Sequence, residues 1–579
     1  MTVELKNRLF MPLSYITTEG NKTGSWRFLR PRFENKTAPC SAACPAGEDI
    51  PQIEMLIAQG EFKEAWETIL RENPFPAVCG RVCFHPCEGF CNRGNYDEPI
   101  AIHTMERFLA DTAFRYDFHP SAKSLPAKQE RIAIAGGGPA GLSAAWFLTK
   151  LGYQCDIYEA APELGGVLRW GIPAYRLPKD TFLQDLRRLQ EEGVGIVTNK
   201  KVDEHFLTDN DDVYSAFIIA CGHGKGQKMG IPGENETSVM EGLDFLRNIR
   251  EERSVSCEGT TAVIGGGNTA IDVARSVIRL GGKAVIYYRR RRQDMPAFDE
   301  EIQMALEEGV EIVELVAPLE IKSNNNKIVL SLQKMTVSGE ESGRARVVPD
   351  GSKTETVEAE RIIRAIGAGP EEPWMNPPKE EKYIQRFSHI CIVHGKKRKP
   401  VVYAGDLTNE TKSVTHAIAS GKQAAIALDI LFREGVEAIS KKMGACRIGN
   451  GQAHSLEIYT GGRRKERGSH IVEFSEINTD YFTFTPRIRP PRLLIEERRG
   501  SFAEIVLKIS AGIAMQEAGR CFNCGLCNGC DNCRLFCPDL AVIKEGEIRK
   551  INYDYCKGCG ICVVECPRNA MSLEEEEGA

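Results

Sequence analysis

The chain has 579 residues, long enough for about three or four domains of ~150 residues each, each able to bury a core. Its net charge of −6 argues against a nucleic-acid binder, and the basic run Arg289–Arg292 is too local to make a broad basic face. No apolar stretch approaches the ~18 residues that cross a bilayer, and the opening MTVELKNRLFMPLSY lacks the basic-then-apolar pattern of a signal peptide. The expectation is a soluble, cytoplasmic protein with no membrane span. In that reducing compartment its 21 cysteines read as ligands or thiols rather than disulfides.

The first cysteines are Cys40-x3-Cys44-Pro45, followed by Cys79, Cys83, Cys87 and Cys91 at every fourth position. Residues 131–135 then read as a buried strand, and Gly136-x-Gly138-x-x-Gly141 leads into a helical run at 142–150. Glycines at these points allow a tight turn, a close approach of pyrophosphate and packing of helix on strand, with the phosphate drawn to the helix N-terminus. The next strand, 155–158, ends in Glu159, placed to accept from ribose hydroxyls. Gly165-Gly166 follows and resembles the FAD signature of two-dinucleotide flavoproteins, so FAD is preferred to NAD here.

A second copy runs from strand 261–264 through Gly265-x-Gly267-x-x-Ala270 to a helix at 271–278. Its following strand, 283–288, ends in Arg289 and Arg290. A guanidinium there fits a 2′-phosphate, which favours NADP(H) over NAD(H); a solvated basic turn is the alternative. Gly405-Asp406 closes the strand at 401–407, and in two-dinucleotide flavoproteins such a pair lies near the FAD ribityl or pyrophosphate. Thr415, opening the helix at 414–431, would then lie under the flavin. Residues 436–510 carry no cofactor motif and read as an extended arm, being aromatic and Pro-rich rather than Gly/Ser-rich.

The last 59 residues hold ten cysteines. Eight form Cys527-x2-Cys530-x2-Cys533-x3-Cys537-Pro538 and Cys556-x2-Cys559-x2-Cys562-x3-Cys566-Pro567, the bacterial two-cluster ferredoxin pattern, in which the fourth Cys of each run ligates the other cluster. One [4Fe–4S] site takes Cys527, Cys530, Cys533 and Cys566, the other Cys556, Cys559, Cys562 and Cys537. Zinc would want two Cys pairs more widely separated. Clusters of this kind favour a low-oxygen, anaerobic metabolism. The acidic end at 574–577 reads as a frayed, solvated tail.

The string Gly166-Val-Leu-Arg-Trp-Gly-Ile-Pro-Ala-Tyr-Arg-Leu-Pro178, with 231–234, 265–272, 288–290 and 295–296, resembles the glutamate synthase small subunit and its relatives. Those relatives include the N-terminal half of dihydropyrimidine dehydrogenase and a subunit of NADH-dependent ferredoxin:NADP oxidoreductase. The resemblance covers about Cys40 to Leu431, and the ferredoxin tail is an addition to it. It implies a multidomain α/β chain. A helical N-terminal iron–sulfur domain (1–125) precedes two nested Rossmann-like dinucleotide-binding domains, a split FAD domain (126–240 and 363–435) and an NAD(P)H domain (241–362). A connecting arm (436–510) and an α+β bacterial-ferredoxin domain (511–579) complete it. Leu168, Arg176 and Gly222 on the flavin side, and Asn268 and Thr269 on the nucleotide side, join the candidate cofactor-binding residues.

In such relatives the N-terminal domain holds two [4Fe–4S] clusters and opens with a Cys-x-x-Cys just ahead of the Ala-Pro-Cys string. Residues 33–37 lack it, while Glu517-Ala-Gly-Arg-Cys521-Phe-Asn-Cys524 looks like the missing piece. Carried over residue by residue, one cluster uses Cys40, Cys91, Cys521 and Cys524, and the other Cys44, Cys83, Cys87 and Glu106. The alternative leaves Cys521 and Cys524 as spare thiols and a single N-terminal cluster. Cys79 reads as a buried thiol, Cys155, Cys221, Cys257, Cys391 and Cys446 as structural, and His223, His394 and His416 as structural or flavin-shell residues.

No nucleophile or triad is expected. The functional expectation is an NAD(P)H:acceptor oxidoreductase, with hydride from NAD(P)H to FAD and single electrons through clusters to or from an iron–sulfur partner enzyme or ferredoxin. A 2-oxoacid oxidoreductase or a sulfite reductase type would fit as partner. The alternatives are a glutamate synthase small subunit and a non-catalytic cluster scaffold or redox sensor.

Overall fold

The computed structural model describes residues 20–576 apart from 122–123, 325–326, 342–343, 380–383, 388, 396–397 and 547. The opening string at 1–15 and the tip of the acidic tail lie outside the described residues. The chain forms two compact units. The smaller draws on Met1–Ala38, Arg467–Thr483 and Phe522–Ala579, the larger on Pro39–Glu466 and Phe484–Cys521.

In the smaller unit the strand Leu29–Phe33 pairs antiparallel with the C-terminal strand Met571–Glu575. A hairpin, Val542–Glu545 with Ile548–Ile551, and two one-turn helices, Asn532–Leu535 and Ile561–Val564, complete it. Its small core is Cys533, Val542, Cys562 and Met571, with Phe33 and Ile551 against them. Arg27 fastens the N-terminal segment by donating to Glu576 at 2.7 and 2.6 Å and to the Tyr553 carbonyl at 2.7 Å. The expected helical domain therefore starts at Pro39 rather than at residue 1. The segment 29–33, read without neighbours, is a short Arg- and Pro-bearing run whose partner strand lies at the far end of the chain.

The larger unit begins with the helices Pro39–Ala43, Ile50–Gln59, Phe62–Leu70, Pro76–Val82 and Ile102–Arg115. Ile57, Trp66, Met105 and Leu109 form their core, and Ala514 and Ala518 of the helix Ala511–Gly519 pack into it. The stretch 511–521 thus belongs with the N-terminal helices and not with the ferredoxin-like part. An apolar face (Ala514, Ala518) that has no mate in the smaller unit's core finds one here.

Next comes a seven-stranded sheet in the order Ile384–Arg386, Cys391–Gly395, Arg398–Tyr403, Ala216–Ile219, Arg131–Ala135, Gln154–Tyr158, Gly195–Val197. The last five strands are mutually parallel. The helix Pro139–Lys150 packs closely on the long helix Val414–Glu434, where a Cβ on Gly421 would lie 2.3 Å from the Ala140 carbonyl oxygen. Inserted within it is an all-parallel five-stranded sheet, ordered Glu311–Glu314, Lys283–Tyr288, Thr260–Ile264, Arg361–Arg364, Val239–Glu241. The chain enters and leaves the insertion side by side, as Lys225–Gly226 pairs with Ala368–Gly369. An antiparallel three-stranded sheet, Val316–Asn324, Lys327–Glu341 and Arg344–Ala359, is a further layer that periodicity did not reveal.

Candidate functional site: two dinucleotide cradles and a group of buried cysteines

The first cradle lies where the strand Arg131–Ala135 turns into the helix Pro139–Lys150, with Gly138 as N-cap. Gly136 sits at φ +107°, and a Cβ there would meet the Ala220 carbonyl oxygen at 2.5 Å; on Gly141 it would meet the Gly136 oxygen at 2.0 Å. Only glycine fits either place. Glu159 accepts from the Gly137 N–H and the Ala161 N–H, both at 2.8 Å, which fixes its carboxylate at the strand end. Gly165 and Gly166 follow at φ +130° and +50°, and a Cβ on Gly166 would lie 3.0 Å from Gly138 Cα. The backbone is thus left bare on both sides of a gap that a side chain would fill, and this fits a pyrophosphate. Leu168 is fully buried, and Gly222 takes φ +65°.

Gly405, at φ +72°, donates its N–H to Ser420 Oγ at 2.7 Å, so the Gly405-Asp406 corner is held on the helix Val414–Glu434. Burial pushes the Asp406 carboxyl up, against His223 and Lys412 nearby. Ser413 caps that helix by accepting from the His416 N–H. Burial lowers His416 to about 4, so its ring is neutral at physiological pH.

The second cradle repeats the turn. Gly265 takes φ +140°, Gly267 is the N-cap of the helix Asn268–Arg279, and the Asn268 side chain accepts from the Phe298 N–H at 3.1 Å. Thr269 stands in that helix's first turn, its methyl 3.3 Å from where a Gly242 Cβ would be. The two arginines differ. Arg289 is exposed, whereas Arg290 donates through Nε to the Ala345 carbonyl at 2.8 Å. Arg291 is committed to Asp294 at 2.7 and 3.0 Å. Arg176, expected at the flavin, donates to Asp272 at 3.0 and 2.8 Å and pairs with Glu301 at 3.1 Å, tying the Gly166–Pro178 string to the inserted domain.

The helical layer brings Cys44, Cys83, Cys87 and Glu106 together. Burial and then Glu48 push the Cys44 thiol up, with Cys83 and Glu106 close by. Burial and then Glu106 push Cys83 up to about 12. Cys87, raised by burial, feels Cys44, Cys83 and Cys40. Cys79 stands beside Glu106 and Cys83 in the same buried group. Buried thiols and carboxylates without a cation are costly to ionise, and the irons of a cluster would supply that charge. Among the described residues no three His, Cys, Asp or Glu side chains converge as ligands of a single metal ion; a four-iron cluster takes one protein ligand per iron and needs no such convergence.

Cys521 is carried to the same layer. Arg93 donates to the Arg520 carbonyl at 2.8 Å, Arg520 pairs with Asp97 at 3.1 Å, and Glu517 accepts from the Ala101 N–H at 2.9 Å. Cys40 and Cys91 share this unit, and Cys524 belongs to the smaller one.

In the smaller unit burial, then Cys527, Cys530 and Cys566, push Cys533 up to about 12. Burial, then Cys556, Cys559, Cys533 and Cys537, do the same to Cys562. Cys566, 29 residues from Cys537, therefore lies with the first run, and Cys537 with the second.

Several neighbours escaped the sequence. Asn73 bridges Glu48 and Glu106 at 2.8 and 3.0 Å. Lys422, fully buried, pairs with Glu72 at 2.6 Å; a single charged residue in the central turns of a largely Ala- and Ile-rich helix was the available signal. Phe84 stacks between Phe298 (5.4 Å) and His416 (5.8 Å). His85 and His103 lie with ring centroids 3.9 Å apart. Phe84, His85 and His103 line a cavity of about 1960 Å³ that Phe298, Arg344 and Arg487 also face.

Three family models match the chain. They are dihydropyrimidine dehydrogenase domain II with its 4Fe-4S cluster at residues 32–118, pyridine nucleotide-disulphide oxidoreductase at 130–421, and a 4Fe-4S binding domain at 549–572. The chain is 35% identical over 427 residues to the NADP(+)-dependent formate dehydrogenase subunit beta of Moorella thermoacetica, covering 69% of this chain and 60% of that one. It is 33% identical to the NAD-dependent dihydropyrimidine dehydrogenase subunit PreT of Salmonella typhimurium (69% and 92%). It is 32% identical to the glutamate synthase [NADPH] small chain of Escherichia coli (67% and 87%). The match spans only 60% of the formate dehydrogenase subunit and 54% of the NADPH-Fe(3+) oxidoreductase subunit beta of Geobacter sulfurreducens. The domain matches imply FAD and 4Fe-4S clusters, and the bare glycine cradle and grouped buried thiols fit both. No helix among the described residues is long and apolar enough to cross a membrane. The chain belongs to the pyridine nucleotide-disulphide oxidoreductase family.

Proposed function

We propose that this chain is the NAD(P)H-oxidising, electron-distributing subunit of an iron–sulfur enzyme. When bound, FAD would supply conversion of a hydride into single electrons, and the clusters would carry these onward. The chain's own residues bind, orient and insulate. Gly136, Gly138 and Gly141 would admit the FAD pyrophosphate to the helix N-terminus, Glu159 would accept from its ribose, and Asp406 would serve its linker. Gly265, Gly267, Asn268 and Thr269 serve the pyridine nucleotide in the same way. Arg289, exposed and at the end of the second strand, is placed for a 2′-phosphate, which supports NADP(H); Arg290 contributes chiefly by fixing the hairpin at Ala345.

Cys44, Cys83 and Cys87 with Glu106 form one candidate ligand set, and Cys40, Cys91 and Cys521 are three members of a second. The crossed sets of Cys527, Cys530, Cys533, Cys566 and Cys556, Cys559, Cys562, Cys537 are the ferredoxin pair. The observation that carries this reading is continuity within the larger unit. The helix that begins beside the Gly405-Asp406 corner touches, through Thr415, the sulfur of Cys83 at 3.0 Å. A partner iron–sulfur enzyme or ferredoxin is supported by the relatives, which are named as subunits of formate dehydrogenase, dihydropyrimidine dehydrogenase and glutamate synthase.

The test is anaerobic titration of the iron- and FAD-quantified protein with NADPH and, separately, NADH, following flavin bleaching and reduced-cluster EPR. Joint reduction of flavin and clusters by NADPH ahead of NADH is expected. Reduction by neither nucleotide overturns the donor assignment. An equal response to both overturns the role of Arg289.

A further inference from the structure

Thr415 is 2% exposed and stands in the first turn of the helix Val414–Glu434. Its hydroxyl does not turn back to cap its own helix, a task that Ser413 performs. Thr415 Oγ1 instead donates to Cys83 Sγ at 3.0 Å, across 332 residues of sequence. A second donor, the His85 backbone N–H, reaches the same sulfur at 3.3 Å. Cys83 follows directly on the helix Pro76–Val82 in extended backbone, φ −64° and ψ 140°, which turns its side chain out of the helical repeat. Burial and the Glu106 carboxyl both oppose negative charge on this sulfur, and these two donors favour it.

We infer that Thr415 is a positioning residue whose hydroxyl sets the reduction potential of the cluster held through Cys83. This rests on the reading that Cys83 is a cluster ligand. A cluster gains one negative charge on reduction, spread in part onto its cysteine sulfurs. A hydrogen bond to such a sulfur therefore stabilises the reduced form more than the oxidised one and raises the potential. The bond is charge-assisted, so it exceeds a neutral one, and its donor, Thr415, is itself shielded from water. The donor belongs to the flavin-binding domain and the acceptor to the helical domain. The potential is thus matched only when the two are docked, and the electron carrier nearest the flavin helix is tuned by that helix.

The experiment is an EPR-monitored redox titration, with dithionite as reductant, of the FAD- and iron-loaded full-length chain. Thr415→Val keeps the shape and removes the donor; Thr415→Ser keeps the donor and removes the methyl. In Thr415→Val one cluster signal is expected to need about a tenfold larger reduced-to-oxidised driving ratio, a downward shift of about 59 mV for a one-electron couple. Thr415→Ser is expected to stay near the parent value, and the other signals should not move. Unchanged potentials in Thr415→Val at full iron content overturn the inference. Equal shifts in Val and Ser also overturn it, since they would report packing. If the Val protein loads poorly, Thr415→Ala supplies the donor-free comparison against Ser. Cys83→Ser separates the two claims. Loss of one cluster there with a neutral Thr415→Val sinks the tuning role alone, and retention of every signal in Cys83→Ser sinks the ligand assignment and the tuning together.

Discussion

The two cysteine-bearing regions of this chain solve one chemical problem in opposite ways. In the smaller unit eight thiols come from two short runs, and Cys527, Cys530 and Cys559 are exposed. The helical layer of the larger unit instead buries Cys40, Cys44, Cys79 and Cys87. That layer is braced by groups from distant sequence, among them Lys422 against Glu72, Thr415 against Cys83, and Arg520 against Asp97. A ligand set written in a local repeat depends little on the surrounding fold. One assembled from distant segments needs the whole fold to be in place before its sulfurs meet. Under the function proposed above, the first arrangement would suit exchange with an outside partner and the second a fixed step inside the molecule.

The comparison breaks most sharply if the local set is not self-sufficient. Cys556→Ser is expected to lose the iron of one cluster while FAD content and flavin bleaching by nucleotide stay intact, as read by iron and flavin assay. Loss of FAD in that variant would show the two regions to be interdependent. The next largest effect probes the distant set. Lys422 also donates to the Ala46 carbonyl, and Glu72 accepts from the N–H groups of Leu456 and Glu457 at 3.0 and 3.2 Å. Lys422→Met removes the nearer of two cations that face the buried Glu72 carboxylate, the other being Arg464 at 3.5 Å, and is expected to cost about 3 kcal/mol, the low end for breaking a buried pair, measured by denaturant unfolding with flavin release.

Legibility in the sequence followed the same division. Both glycine turns, Glu159 and the two ferredoxin runs were readable because each motif is local, and its spacing is its geometry. The crossed neighbourhood of Cys566 and Cys537 followed from the Pro after each run. Arg290 was a local reading that tertiary contacts redirected: in isolation nothing distinguishes it from Arg289, but the hairpin at Ala345 takes its Nε. The pairing of 29–33 with 571–575 had no local signal, because a five-residue edge strand is fixed by its partner. Lys422, Phe84 and Asn73 went unread for a related cause. Each is an ordinary residue whose role exists only once distant helices pack.

A smaller effect sharpens how the 484–521 segment is kept on the helical layer. Asp97 is its anchor, held by Arg93 at 2.5 Å, by Arg520 at 3.1 Å, and by the Thr485 N–H donating to it at 3.1 Å. Asp97→Asn removes the charge that two nearly buried guanidiniums face. With hydrogen bonds to charged groups at about 1.5–3 kcal/mol each, a loss of roughly that size for one such bond is expected, read as a fall in denaturant midpoint, with iron content testing whether Cys521 is still presented.

The pH dependence of the same anchor is the smallest effect. Burial alone would raise the Asp97 carboxyl, but Arg93 and the N–H groups of Thr485 and Glu98 outweigh it and hold it at about 2. The unfolded value is higher, near 3.8. A carboxyl depressed on folding contributes stability that is fully present above the unfolded value and is lost as pH falls through the folded one. The tether should therefore be complete at pH 5, weaken between about pH 4 and pH 2, and be indifferent to pH above that. Pulsed hydrogen exchange at the Thr485 amide reads it directly, because that N–H is bonded to the titrating group. Protection that falls below pH 4 in the parent but is already low and flat in Asp97→Asn is the expected result. Protection in the parent that stays constant down to pH 2 would mean that the segment is held by its apolar contacts at Ala514 and Ala518 rather than by this ion pair.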